Sequence, residues 1–431
     1  MTTVESPQLL ESFETYTPES DHIAKEVMDR ALPLSIFHPT QELYQYYHAV
    51  MGIRHIAQHR YEDAQGTVYL QDDTLQESGS FKSRGASNAV MNTPTLDIYG
   101  ATAGNHGSGL AQASQKLGKR AFISAPANAA RIKIARMEGF GAQVDTSFAS
   151  VDAAVPAAES AAEHKRGLFV HPYDNLDVIA GQATAGFDML QNLLTEHTLG
   201  KIDLREDDIE VYVPIGGGGL IAGVASVFRW AKDVGYVGEN VQVVGVQMEN
   251  CDAMRRAVEK TRRGEKPEDL FEETELNTRC DGTAVKIVGS LTLPIAADQR
   301  YVDRIELVSE EELGLGMYDL RQKLGKRIEP AGALAHAAAL RSDVQYRMPL
   351  CSGRNVTDET WEYFVGPYDH AVTQLPERAL AALDGYILRE TVAAPVQNES
   401  ALTMNDQARR GVMDAYYNSL EESGIFMLRR Y

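Results

Sequence analysis

Three glycine-containing stretches of the sequence carry residues that can bind or transfer a chemical group. The first, SGSFKSRGA at residues 78–86, follows a strand-like run at residues 68–71 and leads into a helical pattern. A lysine amine at such a junction can condense with an aldehyde. The small residues before Lys82 leave room for a flat ring, and Phe81 could lie against that ring. Taken alone, the pattern more often describes a solvated lysine at the start of a helix.

The second stretch, ATAGNHGSG at residues 101–109, precedes an alanine-rich helical pattern. Backbone amides at a loop-to-helix junction form an anion site that suits a carboxylate. The side-chain amide of Asn105 could donate a hydrogen bond to a phenolate oxygen or to a carboxylate. His106 is a candidate general base, although it could also serve only to orient the loop.

The third stretch, PIGGGGLIAG at residues 214–223, comes directly after the strand-like run EVYV. Four consecutive glycines carry no Cβ, so their amides can converge on one phosphate at the start of a helix. The stretch lacks the acidic residue expected of a dinucleotide fold and the Gly-Lys-Ser/Thr of a nucleotide-binding P-loop. A tight turn is the alternative. Together, an aldehyde-reactive lysine, a carboxylate loop and a monophosphate cradle predict a pyridoxal-phosphate (PLP) enzyme that acts on amino acids.

The rest of the chain predicts the scaffold that positions these stretches. Strand-like runs at residues 120–124, 167–171, 210–214 and 241–246 alternate with helical segments such as 108–117, which Gly118 ends. This rhythm is typical of an α/β fold with a largely parallel sheet. Residues 406–423 form a further predicted helix with an apolar stripe that suits packing or a subunit contact.

Composition narrows the class of protein. The net charge of −20 would repel nucleic acid and anionic lipid, so neither is an expected partner. Three cysteines without paired spacing give no disulfide or zinc framework. The chain shows no signal peptide, and its apolar runs are too short to span a membrane, so a cytoplasmic location is expected.

The motifs resemble those of fold-type II PLP enzymes, and specifically the threonine and serine dehydratases, also called threonine ammonia-lyases. The resemblance covers residues 65–360. In chain order it rests on GSFKSRGA, ATAGNHGSGLA, HPYDNLDVIAGQAT, VPIGGGGLIAG, DGTAV, IEPAGALA and CSGRN.

The resemblance implies a role for each matching residue. Lys82 would form the Schiff base with the cofactor and later remove the α-proton of the substrate. Ser352 would lie opposite the pyridine nitrogen, and Asn105 would bind the 3-oxygen of the ring. The remaining cofactor contacts would be Phe81, Gly216, Gly217, Gly218, Gly219 and Leu220. The substrate would be bound by Ser80, Thr102, Ala103, Gly104, His106 and Glu329.

The resemblance also implies a fold like that of the tryptophan synthase β subunit, with two three-layer α/β domains and the cofactor between them. We expect a large domain (residues 36–96 and 180–365), a small mobile domain (97–179), an N-terminal extension (1–35) and a helical C-terminal extension (366–431). The implied reaction converts L-threonine to 2-oxobutanoate and ammonia, with L-serine as a second substrate, in a homodimer or larger homo-oligomer.

Several departures from the family pattern keep alternatives open. Ala103 stands where related racemases carry a serine, which weakens racemisation. Gln247, Cys251 and Ala253 occupy the positions of a divalent-cation site, so no such metal is expected, and the tail does not match a regulatory ACT module. Arg354 replaces a small residue and could reach an acidic substrate, although a solvent-facing arginine is the alternative. Hydroxyaspartate dehydratase, racemase, β-replacement enzyme and catalytically silent PLP-fold protein remain rival hypotheses.

One further pair of histidines could suggest a metal. His55 and His59 are four residues apart, which would place them on one face of a helix. The glutamate of a zinc protease and a third ligand are lacking, so packed or surface histidines are the favoured interpretation.

Overall fold

The computed structural model describes residues 19–31, 53–56, 58–63, 65–265 and 278–373. The predicted helix at 406–423 and most of both predicted extensions lie outside these ranges. In the described residues the strands are β1 His59–Glu62, β2 Thr67–Asp72, β3 Asp97–Ala101, β4 Arg120–Pro126, β5 Gln143–Phe148, β6 Leu168–Phe169, β7 Ile209–Pro214, β8 Val241–Met248, β9 Arg304–Val308 and β10 Tyr346–Cys351.

These strands form two sheets. A six-stranded sheet has the order β1-β2-β10-β7-β8-β9, and a four-stranded sheet has the order β5-β4-β3-β6. All pairings in both sheets are parallel except that of β1 with β2. Every residue of β2, β7 and β10 is buried, as expected where helices cover both faces of a parallel sheet. The predicted α/β fold with largely parallel sheet is confirmed.

Helices connect the strands and cover the sheets. They are α1 Glu19–Ala31, α2 Lys82–Met91, α3 Asn105–Lys116, α4 Arg131–Gly139, α5 Val151–Lys165, α6 Leu176–Thr198, α7 Gly219–Asp233, α8 Ala253–Arg262, α9 Leu293–Ala297, α10 Glu310–Leu324, α11 Pro330–Ala339 and α12 Asp358–Thr373.

The helix predicted at residues 108–117 begins three residues earlier, at Asn105, and Gly118 follows its end with a φ of +66°. This left-handed conformation suits glycine after a helix. The histidine spacing gave a wrong helix, because residues 53–56 are irregular and His59 lies in β1. His55 instead contacts Asp188, with 2.6 Å between Nδ1 and Oδ1, and His59 contacts Asp72.

Helix α6 joins the cores of the two sheets. Val178 packs into the core of the four-stranded sheet, whereas its neighbour Ile179 packs into that of the six-stranded sheet. Helix α2 crosses α6 so closely that a Cβ on Gly181 would lie 2.4 Å from the carbonyl oxygen of Arg84. This close packing against α6 therefore fixes the position of α2, whose first residue is Lys82.

A buried ion network fixes α2 further. The guanidinium of Arg84 is fully buried and donates to Asp73 at 2.6 Å and to Asp188 at 2.6 Å. Two carboxylates and the hydroxyl of Thr184 satisfy the charge and the donors of this arginine. Removal of one partner from such a network leaves a buried charge unpaired, so this contact locks the orientation of the helix.

Candidate active site

The predicted site residues follow the carboxyl ends of parallel strands. The segment after β2 leads to Lys82, Thr102 follows β3, Gly216 follows β7, and Ser352 follows β10. In open α/β sheets, ligands bind at this edge. Residues from four distant parts of the chain are thereby placed at the carboxyl ends of the strands of the two sheets.

Lys82 is the first residue of α2. Its Nζ donates to the carbonyl oxygen of Pro172 at 2.7 Å, and burial lowers the pKa of Lys82 to about 8. The preceding amide, that of Phe81, donates to Ser352 Oγ at 2.9 Å. A lysine with a lowered pKa is more often neutral, which is the form that attacks an aldehyde or accepts a proton.

The glycine loop, residues 216–219, links β7 to α7. Gly218 has a φ of +97°, and a Cβ on Gly217 would lie 2.4 Å from the ring of Tyr173. Within the described residues, the amides of residues 216–220 donate to no backbone or side-chain acceptor, and the first helical bond runs from Ala222 to Gly218. Free amides at a helix start fit a phosphate group.

The loop at residues 102–106 forms a second helix start. The amide of Gly104 donates to Thr102 Oγ1 at 3.0 Å, which shapes the turn into α3. In the described part of the chain, the amides of Asn105 and His106 have no acceptor. This loop can therefore accept an anion such as a carboxylate.

His106 is buried at the start of α3. Its Nε2 donates to the carbonyl oxygen of Val170 at 2.9 Å, and burial lowers the pKa of the ring to about 3. The ring is thus neutral at physiological pH, with its proton on Nε2. This geometry favours an orienting role for His106 over that of a general base.

Glu329 is buried beside Asn105. Asn105 Nδ2 donates to Glu329 Oε1, and Asn355 Nδ2 donates to Asn105 Oδ1 at 2.7 Å. Burial raises the pKa of Glu329 to about 7. Gly353 has a φ of +84°, and a Cβ there would lie 2.0 Å from Glu329 Oε1. The SGRN turn at residues 352–355 therefore packs tightly against this carboxyl group.

Other predicted residues add groups to the same region. Ser80 is fully buried, and its hydroxyl has no partner among the described residues. Leu220 is buried in the core, and only its amide is available to the loop. Ala103 is half-buried next to Thr102.

Sequence reasoning missed Tyr173, Asn355 and Arg136 as site residues. Tyr173 and Asn355 lie within the motifs HPYDN and CSGRN, so their positions in a motif were an available signal. Arg136 lies in α4 outside every motif and could not be found from sequence.

Two of the positions that correspond to a divalent-cation site in related proteins make other contacts here. Gln247 Oε1 accepts from the amide of Arg255 at 2.8 Å, and Cys251 Sγ contacts the carbonyl oxygen of Thr283. Among the described residues, no group of three or more His, Cys, Asp or Glu side chains could hold a metal ion. Within the same residues, no helix is long and apolar enough to cross a bilayer.

The fold and these sites define a class of protein. Residues 55–349 match the family model described as pyridoxal-phosphate dependent enzyme. The chain therefore belongs to the PLP-dependent enzymes of this family, and PLP is its cofactor.

Several known proteins are similar to the chain. It is 34% identical over 302 residues to the catabolic L-threonine dehydratase of Staphylococcus aureus strain N315, covering 68% of this chain and 80% of that protein. It is 33% identical over 341 residues to the L-threonine ammonia-lyase of Geobacter sulfurreducens, covering 77% and 75%. The crystal structure of a threonine deaminase from T.th. matches with a TM-score of 0.63 and 28% identity, covering 74% and 98%.

The residues present fit the cofactor. PLP brings an aldehyde, a phosphate and a ring with polar edges, and the site offers a buried amine, free amides at a helix start and two polar side chains, Asn105 and Ser352. The fit at the glycine loop is specific, because side chains there would collide with Tyr173, Met254 and Thr292.

Proposed function

We propose that this chain is a PLP-dependent lyase that converts a β-hydroxy amino acid to a 2-oxo acid and ammonia through elimination of the β-hydroxyl group, with L-threonine as the first substrate and L-serine as the second. The names of the relatives support the reaction, and 2-oxobutanoate and ammonia would be the products from threonine. The observation that carries the proposal is the buried amine of Lys82 with its lowered pKa, on the same sheet edge as the free amides of the glycine loop.

The proposed reaction balances as follows. The Cα–H and Cβ–O bonds of the substrate break, and one water molecule leaves. Hydrolysis of the C–N bond then consumes one water and releases ammonia, so the net products are a 2-oxo acid and ammonia. Bound PLP supplies the electron-withdrawing ring that makes the α-proton acidic.

In this proposal the residues of the chain bind, orient and move protons. Lys82 Nζ holds the cofactor and, once released, accepts the α-proton in its neutral form. The amides of residues 216–220 bind the phosphate, and those of Asn105 and His106 bind the substrate carboxylate, together with the loop of Thr102, Ala103 and Gly104.

Ser352 would favour elimination over other outcomes. Its oxygen already accepts from the amide of Phe81, so its own proton is free to point towards the ring nitrogen. A neutral hydroxyl stabilises a protonated ring less than a carboxylate would. Negative charge on the substrate is then less delocalised, which favours prompt loss of the β-hydroxyl.

We also propose the domain division given by the sequence, with the cofactor between a domain containing the six-stranded sheet and a smaller one at residues 97–179. A homo-oligomer and a cytoplasmic location complete the proposal. Size-exclusion chromatography with light scattering would test the oligomer.

A substrate panel on the purified holoenzyme tests the function. We expect each of L-threonine and L-serine to give one 2-oxo acid and one ammonia per molecule consumed. We expect the Lys82→Ala variant to form neither product. Release of a D-amino acid without 2-oxo acid would instead indicate a racemase. If the cofactor binds but no hydroxy-amino acid is consumed, the lyase proposal is wrong.

A further inference from the structure

Two arginines meet over Gly79, three residues before the candidate catalytic lysine. A Cβ built on Gly79 would lie 2.6 Å from Arg136 Nη1 and 2.8 Å from Arg354 Nε. Arg136 Nη1 also donates to the carbonyl oxygen of Ser78 at 3.1 Å. The two guanidinium groups therefore lie side by side on the backbone that leads into Lys82.

The two arginines belong to segments that are associated with different sheets. Arg136 lies on α4, which packs against the four-stranded sheet, with its neighbour Met137 in the core of that sheet. Arg354 follows β10 of the six-stranded sheet and is two residues from Ser352. A ligand that contacts both side chains would therefore bridge the two sheets.

Neither arginine has an acidic partner. Arg136 is half-buried, and Arg354 is exposed, as the alternative interpretation of the sequence expected. Within the ranges that the structure describes, no carboxylate forms an ion pair with either, whereas the half-buried Arg229 and Arg304 pair with Asp233 and Glu210. Burial and the nearby charge of Arg354 lower the pKa of Arg136. Two guanidinium groups held together without a counter-ion create a local positive potential.

Glu329 does not neutralise this pair. Glu329 raises the pKa of Arg136 only as the smallest contribution, and its own carboxyl group is bound by Asn105. Burial raises the pKa of Glu329 to about 7, so the carboxyl group is a weaker counter-charge at neutral pH than an exposed glutamate. Lys133, another cation nearby, is paired with Asp281. The arginine pair is therefore open to an anion from solution.

We propose that Arg136 and Arg354 form a subsite for a carboxylate on the side chain of the substrate, which extends the substrate range from L-threonine and L-serine to a β-hydroxy dicarboxylic amino acid such as 3-hydroxyaspartate. This inference rests on the proposed lyase function and refines its substrate. Planar guanidinium groups bind carboxylates through paired hydrogen bonds, which suits this recognition.

The chemistry of the reacting atoms stays the same for such a substrate. The Cα–H and Cβ–O bonds break with loss of water, and hydrolysis of the C–N bond returns that water and releases ammonia. The second carboxylate is not altered, and the product is a 2-oxo dicarboxylic acid. The arginines bind the substrate and take no part in bond breaking.

The first test compares two substrates on the holoenzyme. We expect L-threo-3-hydroxyaspartate to be turned over as well as L-threonine, and we compare kcat/KM for the two substrates. In Arg136→Met and Arg354→Met, we expect the ratio of these two constants to fall by about 10- to 100-fold, the usual loss when a charged hydrogen-bond partner is removed. Arg131→Met is the matched control, because Arg131 is exposed on the same helix, and we expect the ratio to be unchanged.

The second test measures binding without turnover. Calorimetric titration of the holoenzyme compares succinate, which has two carboxylates, with butyrate, which has one and the same number of carbons. We expect succinate to bind about tenfold more tightly or better, and the preference to disappear in both arginine variants. Equal affinity for the two acids in the unmodified protein would overturn the inference.

The two tests separate the failure of the subsite from that of the lyase function. Turnover of threonine with a substrate ratio that no arginine variant changes would reject the subsite and leave the function standing. Absence of turnover for every hydroxy-amino acid would reject the function, and the succinate titration would still decide whether the arginine pair binds dicarboxylates.

Discussion

At Gly216–Gly219 the protein offers main-chain nitrogens from one continuous segment, whereas beside Glu329 it offers side chains from several distant segments. The glycine loop, residues 216–219, presents amides that no side chain shields. The Glu329 cluster, defined as Arg136, Glu329 and Arg354 with Asn105, assembles its groups from both sheets.

This difference between main-chain and side-chain groups corresponds to two tasks. The cofactor must be bound for every substrate, whereas the side chain of each substrate must be recognised individually. A phosphate can be bound by amides alone, and a run of glycines leaves those amides unshielded by side chains. A substrate side chain must be matched by other side chains, which can change individually without disturbing the backbone. We therefore expect the glycine loop to determine cofactor binding and the Glu329 cluster to determine substrate choice and pH response.

Loss of the Lys82 amine should have the largest effect, because the amine both holds the cofactor and accepts the α-proton of the substrate. We expect Lys82→Ala to abolish the visible absorbance of the bound cofactor and to lower turnover by about 10⁴-fold or more. Absorbance spectroscopy and 2-oxo acid release measure the two effects. Survival of both at the level of the unmodified protein would contradict the assignment of the site itself.

Substitution in the glycine loop should come next. Alanine at Gly218 is strained at a φ of +97°, and its Cβ would lie 2.5 Å from Thr292 Oγ1. The loop must shift, so we expect Gly218→Ala to weaken PLP binding by about 10- to 100-fold, equivalent to the loss of one or two hydrogen bonds to a charged group. Titration of the apoprotein with PLP measures this affinity.

Gly141→Ala is the matched control for this change. Gly141 has a φ of +84°, but a Cβ there meets nothing within 4 Å. The same conformational strain, about 1–2 kcal/mol, should therefore lower stability without affecting PLP affinity. If the two variants lose the cofactor equally, backbone strain and not the open cradle explains the effect.

The sequence predicted the position of the glycine loop correctly because the loop belongs to a continuous motif. The strand Ile209–Pro214, the loop and the helix Gly219–Asp233 are consecutive, so the local pattern determines where the amides lie. The same applies to Lys82 at the start of Lys82–Met91 and to Asn105 at the start of Asn105–Lys116.

The Glu329 cluster could be predicted only in part. Arg354 stood out within a motif, but its neighbour Arg136 is 218 positions earlier in the chain, so their contact depends on how the two sheets meet. The spacing of His55 and His59 suggested one face of a helix, but His59 lies in β1. Each ring instead contacts an aspartate, which agrees with the favoured interpretation of packed or surface histidines.

The pKa of Glu329 gives a test of the cluster. A carboxyl group whose pKa rises from 4.5 to about 7 on folding stays protonated in the native state after the unfolded chain has lost its proton. The free energy of unfolding therefore falls as pH rises from about 4.5 to about 7, by about 1–3 kcal/mol from this group. We expect Glu329→Gln to remove this fall, as measured by urea unfolding at pH values of about 5 and about 8.

Glu138→Gln serves as the control for that measurement, because Glu138 is exposed on α4 and the substitution removes a charge that faces solvent. Stability of this variant should follow the pH dependence of the unmodified protein. A pH dependence that is the same in Glu329→Gln as in the unmodified protein would show that the cluster does not hold a protonated carboxyl group.

The smallest effect should come from Tyr173, whose ring covers Gly217 and whose hydroxyl donates to the carbonyl oxygen of Ile287 at 2.8 Å. Tyr173→Phe keeps the ring and removes one hydrogen bond, so we expect a loss of about 0.5–1.5 kcal/mol in the free energy of unfolding. PLP affinity should change far less than in Gly218→Ala, because the amides of the loop stay in place. Thermal unfolding and PLP titration check both values. If Tyr173→Phe weakens PLP binding as strongly as Gly218→Ala, a side chain and not the main chain determines cofactor affinity. The distinction between a main-chain cofactor site and a side-chain substrate site would then be wrong.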